Sequence, residues 1–345
     1  MRRVPRRRTS GAFAGLPALL LLLSAGIGRA QPFHLPTPNR ALYEPGGAAR
    51  YFAPTQASSW PGGMFGCVRS HGRQFHEGID ILPVKRDARG EPADHVLAAA
   101  AGRVAYLNRR PARSNYGKYL ILRHQVNGLE VFTIYAHLAV IAPDLRAGTP
   151  VAAGRTLGIM GRTANTRTPI ARERGHLHFE IALRLSDHFG RWYRRHYPKQ
   201  RNDHGEFNGR NFLGLDPIAI FREQAARLAD FDLVRFLRRQ PELCRVRVRD
   251  TRFSYLRRYS ALLERNRRAE REGVAGYELV LNYVGVPCRL IPRAPGEMPG
   301  RERFQVVSVN EKELRAHPCR KLVRRDRRGW RLDRNGELLL DLLAD

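Results

Sequence analysis

A mainly β, antiparallel architecture followed by a smaller α+β part is what this chain of 345 residues predicts. Three observations carry that reading. Between about residues 61 and 221 the apolar residues fall in short runs separated by Gly and polar turns, among them Val96–Ala101, Arg103–Leu107, Tyr119–His124, Val131–His137, Thr156–Met160 and His176–Leu183. Asn127-Gly128, between the third and fourth of these runs, is a dipeptide that tight hairpin turns favour. Beyond Phe221 the texture changes to charged segments with apolar residues at helical spacing, interleaved with strand-like runs.

Taken in order, residues 1–30 read as a secretory signal. Arg2, Arg3, Arg6, Arg7 and Arg8 precede an apolar stretch from Ala12 to Ile27, and Gly28-Arg29-Ala30 supplies a cleavage site. An uncleaved anchor is the alternative, against which Pro17 and the shortness of the apolar run argue. Residues 31–60, rich in Pro, Gly, Ala and Ser, read as a linker or an arm laid over the domain, and residues 61–221 as the β domain. In residues 222–345, Arg222–Arg239 and Phe253–Arg271 are expected to be helical. Gly276–Leu290, Phe304–Val309 and Trp330–Leu342 look strand-like, the last with Asn335-Gly336 as a second hairpin turn.

The net charge of +29, from 61 Lys+Arg against 32 Asp+Glu, raises the question of a polyanionic partner. Only five of the basic residues are Lys, and so uneven a use of Arg reflects codon bias as readily as selection for binding. No recognisable nucleic-acid-binding motif accompanies the charge, and an exported protein is in the wrong compartment for a specific nucleic-acid partner. The six Arg of residues 1–30 leave with the leader, so +23 remains on a mature chain that suits an anionic cell envelope. No later stretch is apolar enough to span a bilayer, and the expected location is the periplasm or cell envelope. Cys67, Cys244, Cys288 and Cys319 match no zinc ribbon or Cys-x-x-Cys motif. An even number in an oxidising compartment allows two disulfides in three connectivities, or buried thiols.

Three segments carry chemistry: His76-Glu77-Gly78-Ile79-Asp80, Tyr135-Ala136-His137-Leu138 and His176-Leu177-His178-Phe179-Glu180. Side chains two apart on a strand share a face, so His176 and His178 point together while Leu177 and Phe179 face the core. Gly78 lets the backbone turn so that His76 and Asp80 converge. Two His and one carboxylate, with a fourth position left to water, form a recognised catalytic zinc arrangement.

On these residues the chain resembles the lysostaphin-type (LytM or M23) zinc metallopeptidases, which are peptidoglycan endopeptidases. The resemblance runs from about Gly62 to Ile220. It includes Gly117–His124 before Asn127-Gly128, then Gly148, Gly158–Gly161 and a closing Asp216-Pro217. It implies an antiparallel β-sheet peptidase domain of the lysostaphin type with a zinc groove across it. His76, Asp80 and His178 would bind one Zn2+, and His137 and His176 would form the catalytic pair, their separate roles left open. Glu77 stands beside a ligand but not at His-Glu-x-x-His spacing, so it reads as solvated or as a support behind the ligands rather than as a general base. His124 reads as a packing residue, His71 as a groove residue, and Asn115 and Tyr116 as either substrate contacts or a simple turn.

Two departures from the family stand out. The link from Arg162 to Gly175 is long and basic, and an insertion from Ser186 to Asn211 carries Trp192, Tyr193, Tyr197 and several Arg. Those aromatics could stack on sugar, bind an acidic peptide or dock the C-terminal part, with docking preferred. The expected function is an exported zinc endopeptidase cutting cross-links or stem peptides of peptidoglycan. A non-enzymatic wall-binding relative that activates another hydrolase is the rival.

Overall fold

The computed structural model describes residue 1 and residues 33–55, 59–227 and 230–345. The expected leader, Met1 apart, lies outside them. Among the described residues no helix is long and apolar enough to cross a membrane.

Among the described residues the N-terminal region holds twelve strands: β1 Gly66–Arg69, β2 Gln74–His76, β3 Ile79–Ile81, β4 His95–Leu97, β5 Gly102–Asn108, β6 Tyr119–Val126, β7 Leu129–Ala136, β8 Val140–Ile141, β9 Pro150–Val151, β10 Thr156–Ile159, β11 Leu177–Arg184 and β12 Phe212–Leu215. Seven of them form one sheet, ordered β12-β11-β7-β6-β5-β9 with β3 also paired to β11. Its pairings are all antiparallel. The Asn127-Gly128 hairpin is present: Val126 pairs with Leu129, and both turn residues have positive φ, 50° and 78°.

Alternation along the central strands splits their side chains between two apolar layers. Leu120, Leu122, Val131, Tyr135, Leu177, Phe179 and Ile181 join the main core, whereas Tyr119, Ile121, Phe132, Ile134, Ala136 and Ala182 form a second cluster on the opposite face. Phe207 and Tyr106 pack on that second cluster, so the Ser186–Asn211 insertion, with a helix at Phe189–His196, roofs part of the sheet.

Strand β11 changes partner along its length. On one side His178–Ala182 pair with β7; on the other, Leu177–Phe179 pair with β3 and Ile181–Arg184 with β12. At the junction Gly78 is obligatory, because a Cβ there would stand 2.3 Å from the Phe179 carbonyl oxygen. The arm before the sheet is tied down rather than loose: Ala53 N–H donates to the Asp80 carbonyl and Leu82 N–H to that of Tyr51, along the free edge of β3.

The C-terminal region is α+β. A four-stranded antiparallel sheet, β15-β14-β13-β16, is built from β13 Cys244–Val248, β14 Gly276–Leu281, β15 Pro287–Arg293 and β16 Phe304–Val309, and a two-stranded sheet from β17 Val323–Asp326 and β18 Gly329–Leu332. The expected change of texture at residue 222 falls inside a helix, Pro217–Arg227. Helices at Leu233–Arg238, Ser254–Arg258 and Arg267–Glu272 occupy the segments read as helical.

The Asn335-Gly336 hairpin is absent. Those residues lie in a helix, Arg334–Leu343, whose N-cap Asp333 accepts a hydrogen bond from the Arg334 N–H. Leu339, Leu340, Leu342 and Leu343 are buried along it, so a cap and an apolar helical face outweigh the turn dipeptide. Of the four cysteines, Cys67 and Cys319 form a disulfide, while Cys244 and Cys288 are buried thiols rather than a second bridge.

Candidate metal centre

The partner switch of β11 fixes where the site can form. Register places Asp80 opposite His178 on one side of β11 and Ala136 opposite it on the other, so His137 follows directly beside the pair. His76, at the end of β2, enters through the turn that Gly78 permits. The result is one cluster, His76, Asp80 and His178, whose ligand atoms all lie within 4.8 Å of one another. His76, Asp80 and His178 are each at most 4% exposed.

The hydrogen bonds orient the lone pairs. His76 Nδ1 is 2.7 Å from the Met64 carbonyl oxygen, which can only accept, so Nδ1 carries the proton and Nε2 faces the cluster. His178 Nε2 donates to Glu180 Oε1 at 2.9 Å and leaves Nδ1 2.9 Å from Asp80 Oδ1 and 3.1 Å from His76 Nε2. Glu180, 2% exposed, also accepts from the Tyr116 hydroxyl at 2.5 Å, and the Tyr116 ring stacks on His178 with centroids 5.4 Å apart.

Burial pushes the His178 pKa down, but the Asp80 and Glu180 carboxylates outweigh it and hold it up at about 9. Burial raises the Asp80 carboxyl, but the neighbouring imidazoles outweigh it and hold the group well below the usual carboxylate range.

Two further imidazoles border the cluster. The His137 and His176 rings are 5.0 Å apart, and His176 Nε2 is 3.5 Å from Asp80 Oδ1. His137 donates from Nδ1 to the Thr163 carbonyl at 2.8 Å, and His176 from Nδ1 to that of Arg174 at 2.7 Å, so each keeps a bare Nε2. Burial, reinforced by the neighbouring imidazoles, lowers the His137 pKa to about 3, and burial lowers that of His176. His137 has a φ of 62°, uncommon for a residue with a side chain. It is held there by its own N–H donating to Tyr116 O and by the close approach of the Thr163 loop, where a Cβ on Gly117 would stand 2.2 Å from the Thr163 carbonyl oxygen.

The donor set suits a borderline metal such as zinc: two imidazole nitrogens and one carboxylate, each oriented by a further hydrogen bond or strand pairing. The cluster also attracts a cation from within the chain. An Arg69 NH2 lies 2.8 Å from His76 Nε2 and 2.5 Å from Asp80 Oδ2.

The remaining candidates sort cleanly. Glu77 is exposed and makes no hydrogen bond to a cluster residue, His71 is exposed in the β1–β2 turn, and Asn115 is exposed. His124 is a buried packing residue bonded to Ala101 O and Thr133 Oγ1, and burial lowers its pKa to about 4. The basic link is anchored by Arg162, which grips Glu91 through two hydrogen bonds of 2.7 and 2.8 Å. Sequence reasoning assigned no role to Glu180 or Arg69. The strand alternation that paired His176 with His178 extends one step further to Glu180, whereas nothing local signals Arg69.

Residues 74–188 match the family model described as peptidase family M23. No curated protein matches the chain. Among solved structures, a zinc-containing peptidase from Vibrio cholerae is 26% identical over 39% of this chain and 36% of its own, with a TM-score of 0.26. The chain thus spans little more than a third of that protein. The catalytic domain of the antimicrobial peptidase lysostaphin from Staphylococcus simulans is 18% identical over 50% of this chain and 88% of its own, with a TM-score of 0.27. The family match, with the His76, Asp80 and His178 cluster lying inside it, places residues 74–188 in the M23 superfamily of zinc metallopeptidase domains.

Proposed function

We propose that the protein is an exported zinc endopeptidase of the lysostaphin type that hydrolyses peptide bonds in peptidoglycan. The observation that carries the reading is the pair of neutral imidazoles, His137 and His176, beside a complete two-His, one-carboxylate cluster. Zinc held by His76 Nε2, Asp80 and His178 Nδ1 would polarise the scissile carbonyl and lower the pKa of a bound water toward about 7.

The chain's own residues do the rest. Backbone carbonyls pin the Nδ1 protons of His137 and His176, so each Nε2 can accept a proton at neutral pH or, once protonated, donate one. Two such groups 5.0 Å apart can divide the work: one Nε2 takes the proton of the attacking water and, as an imidazolium, hands it on to the oxyanion or the leaving amine, while the other accepts a hydrogen bond that orients the water. Glu180 holds the His178 tautomer, and Arg69 has to move off Asp80 when a metal ion takes its place. Leader and net charge support action at the envelope.

The test is digestion of purified peptidoglycan. The zinc-loaded protein is expected to release new amino and carboxyl termini, a chelator to stop it and added zinc to restore it. Asp80→Ala should lose both zinc and activity, by on the order of a thousandfold or more. Full digestion by the Asp80→Ala protein would refute the assignment, and wall binding without any release of termini would favour the non-enzymatic rival.

A further inference from the structure

Beside Glu77 and Tyr116, and lined by none of the five site residues, lies a cleft of about 770 Å3 with three walls: the sheet with the loop at Asn115 and Tyr116, the insertion from Trp192 to Arg210, and the C-terminal region at Arg320 and Leu338. The third wall is fastened on both flanks. Arg195 and His196 each reach Asp341 Oδ2 at 2.7 Å, and the disulfide from Cys67 on β1 ends at Cys319, the residue before Arg320. The insertion therefore does dock the C-terminal part, and its aromatic side chains still line an open space.

The charges around that space do not balance. Arg113, Arg201, Arg210 and Arg320 face only Glu77 and Asp203, and Asp203 is already paired with Arg201 at 2.7 Å. Arg210 is spent on Tyr197, lying 4.5 Å over its ring and donating to its hydroxyl. Arg320 is different. Its Nε donates to the Val284 carbonyl at 3.0 Å and its guanidinium lies 4.8 Å over the Phe75 ring, immediately before His76. Among the described residues its two terminal NH2 groups make no hydrogen bond and no ion pair, the Glu77 carboxylate acting on the guanidinium only at longer range. A fixed planar fork with unused parallel donors is the geometry that a carboxylate meets in bidentate fashion. The apolar walls at Trp192 and Leu338 suit a peptide stem beside it.

We propose that this cleft binds a carboxylate-bearing stretch of the peptide substrate, anchored by Arg320, so that the C-terminal region supplies a substrate contact to a site built on the N-terminal sheet. The proposal rests on the peptidase reading and gives the C-terminal region a role in substrate selection.

The test separates binding from turnover. The full chain, disulfide intact and held in chelator, is titrated calorimetrically with the stem tetrapeptide Ala-γ-Glu-Lys-Ala as the free acid and in fully amidated form. The acid is expected to bind on the order of tenfold more tightly. Arg320→Gln should erase the preference and Arg320→Lys keep part of it. Leu338→Glu, which leaves Arg320 intact but adds a competing carboxylate to the cleft, should also erase it.

Equal affinity of wild-type protein for acid and amide overturns the proposal, as does a preference that survives Leu338→Glu and any folded Arg320→Gln protein. Hydrolysis of peptidoglycan without an acid preference sinks the cleft and spares the peptidase reading. A preference lost as expected in the variants, with no hydrolysis by the zinc-loaded chain, does the reverse.

Discussion

Two buried glutamates, one in each half of the molecule, start alike and end differently. Glu180 on β11 and Glu278 on β14 are both 2% exposed and both lie on inner strands of antiparallel sheets. Glu278 is met by three guanidinium groups, Arg293 at 2.9 Å, Arg245 at 3.4 Å and Arg247 at 3.6 Å. Arginine stays charged at any pH a protein survives, so that cluster can only hold the sheet together. Glu180 is met by an imidazole and a phenol, and the far nitrogen of that imidazole faces Asp80 and His76. Burial and charge are the same in the two places; what makes one carboxylate a tie and the other a support of a cluster able to hold a metal is whether its partner has a second atom free to bind.

The comparison breaks most readily by neutralising each glutamate. Glu278→Gln strips Arg247 of its counter-charge and leaves Arg245 and Arg293 to Glu242 and Glu297 alone, and is expected to cost about 3 kcal/mol of stability, read by denaturant unfolding, with zinc affinity unchanged. Glu180→Gln should do the opposite. Zinc affinity measured by chelator competition should fall by roughly tenfold to a hundredfold, with a much smaller change in unfolding midpoint. If both variants weakened zinc equally, the division between structural and metal-centre carboxylates would collapse.

The two glutamates also mark what the sequence could disclose. That His76, Asp80, His137, His176 and His178 converge was legible because they stand in short segments with strand alternation, and the Asn127-Gly128 turn because its φ values need those residue types. Glu180 lies on the same alternating face but carries no local mark separating it from Glu278. Its role depends on Tyr116, 64 positions away in sequence. Arg69 and Arg320 were invisible for the same reason, one arriving through the β1–β2 hairpin and the other through a disulfide across 252 positions. In the C-terminal region, Asn335-Gly336 misled because a turn dipeptide is a weaker signal than the Asp333 cap and the leucines that follow it. The Cys pairing depended on tertiary proximity alone.

The next effect is one of pH. His178, held up at about 9 in the metal-free chain, keeps its proton at neutral pH, and a metal ion has to displace it. Each unit of pH below about 9 therefore strengthens the proton as competitor. Zinc affinity should rise about tenfold per unit from pH 7 to 9 and then flatten, with close to one proton released per ion at pH 7 in calorimetry across buffers of different ionisation enthalpy. Glu180→Gln removes one of the two carboxylates that hold this proton, so its own penalty should be greatest near pH 9 and shrink toward pH 6. A penalty that grew on acidification would contradict the assignment of the proton to the contact between His178 and its carboxylates.

The smallest expected effect isolates the third member of the group. Tyr116→Phe keeps the ring that stacks on His178 but removes the hydroxyl that donates to the same Glu180 oxygen as His178 Nε2. A buried carboxylate that loses one donor leans more heavily on the one left, so it holds the His178 proton more tightly and raises that group's pKa further. Zinc affinity at pH 7 should then fall by about threefold, with roughly 1 kcal/mol of stability lost to the weaker solvation of Glu180. Near pH 9, where the proton begins to leave, the affinity deficit should shrink to about twofold, and it should vanish only above the raised pKa. A deficit of the same size at both pH values would mean that the hydroxyl works by aiming the His178 ring and not by setting the charge of Glu180, and the contrast with Glu278 would then rest on geometry alone.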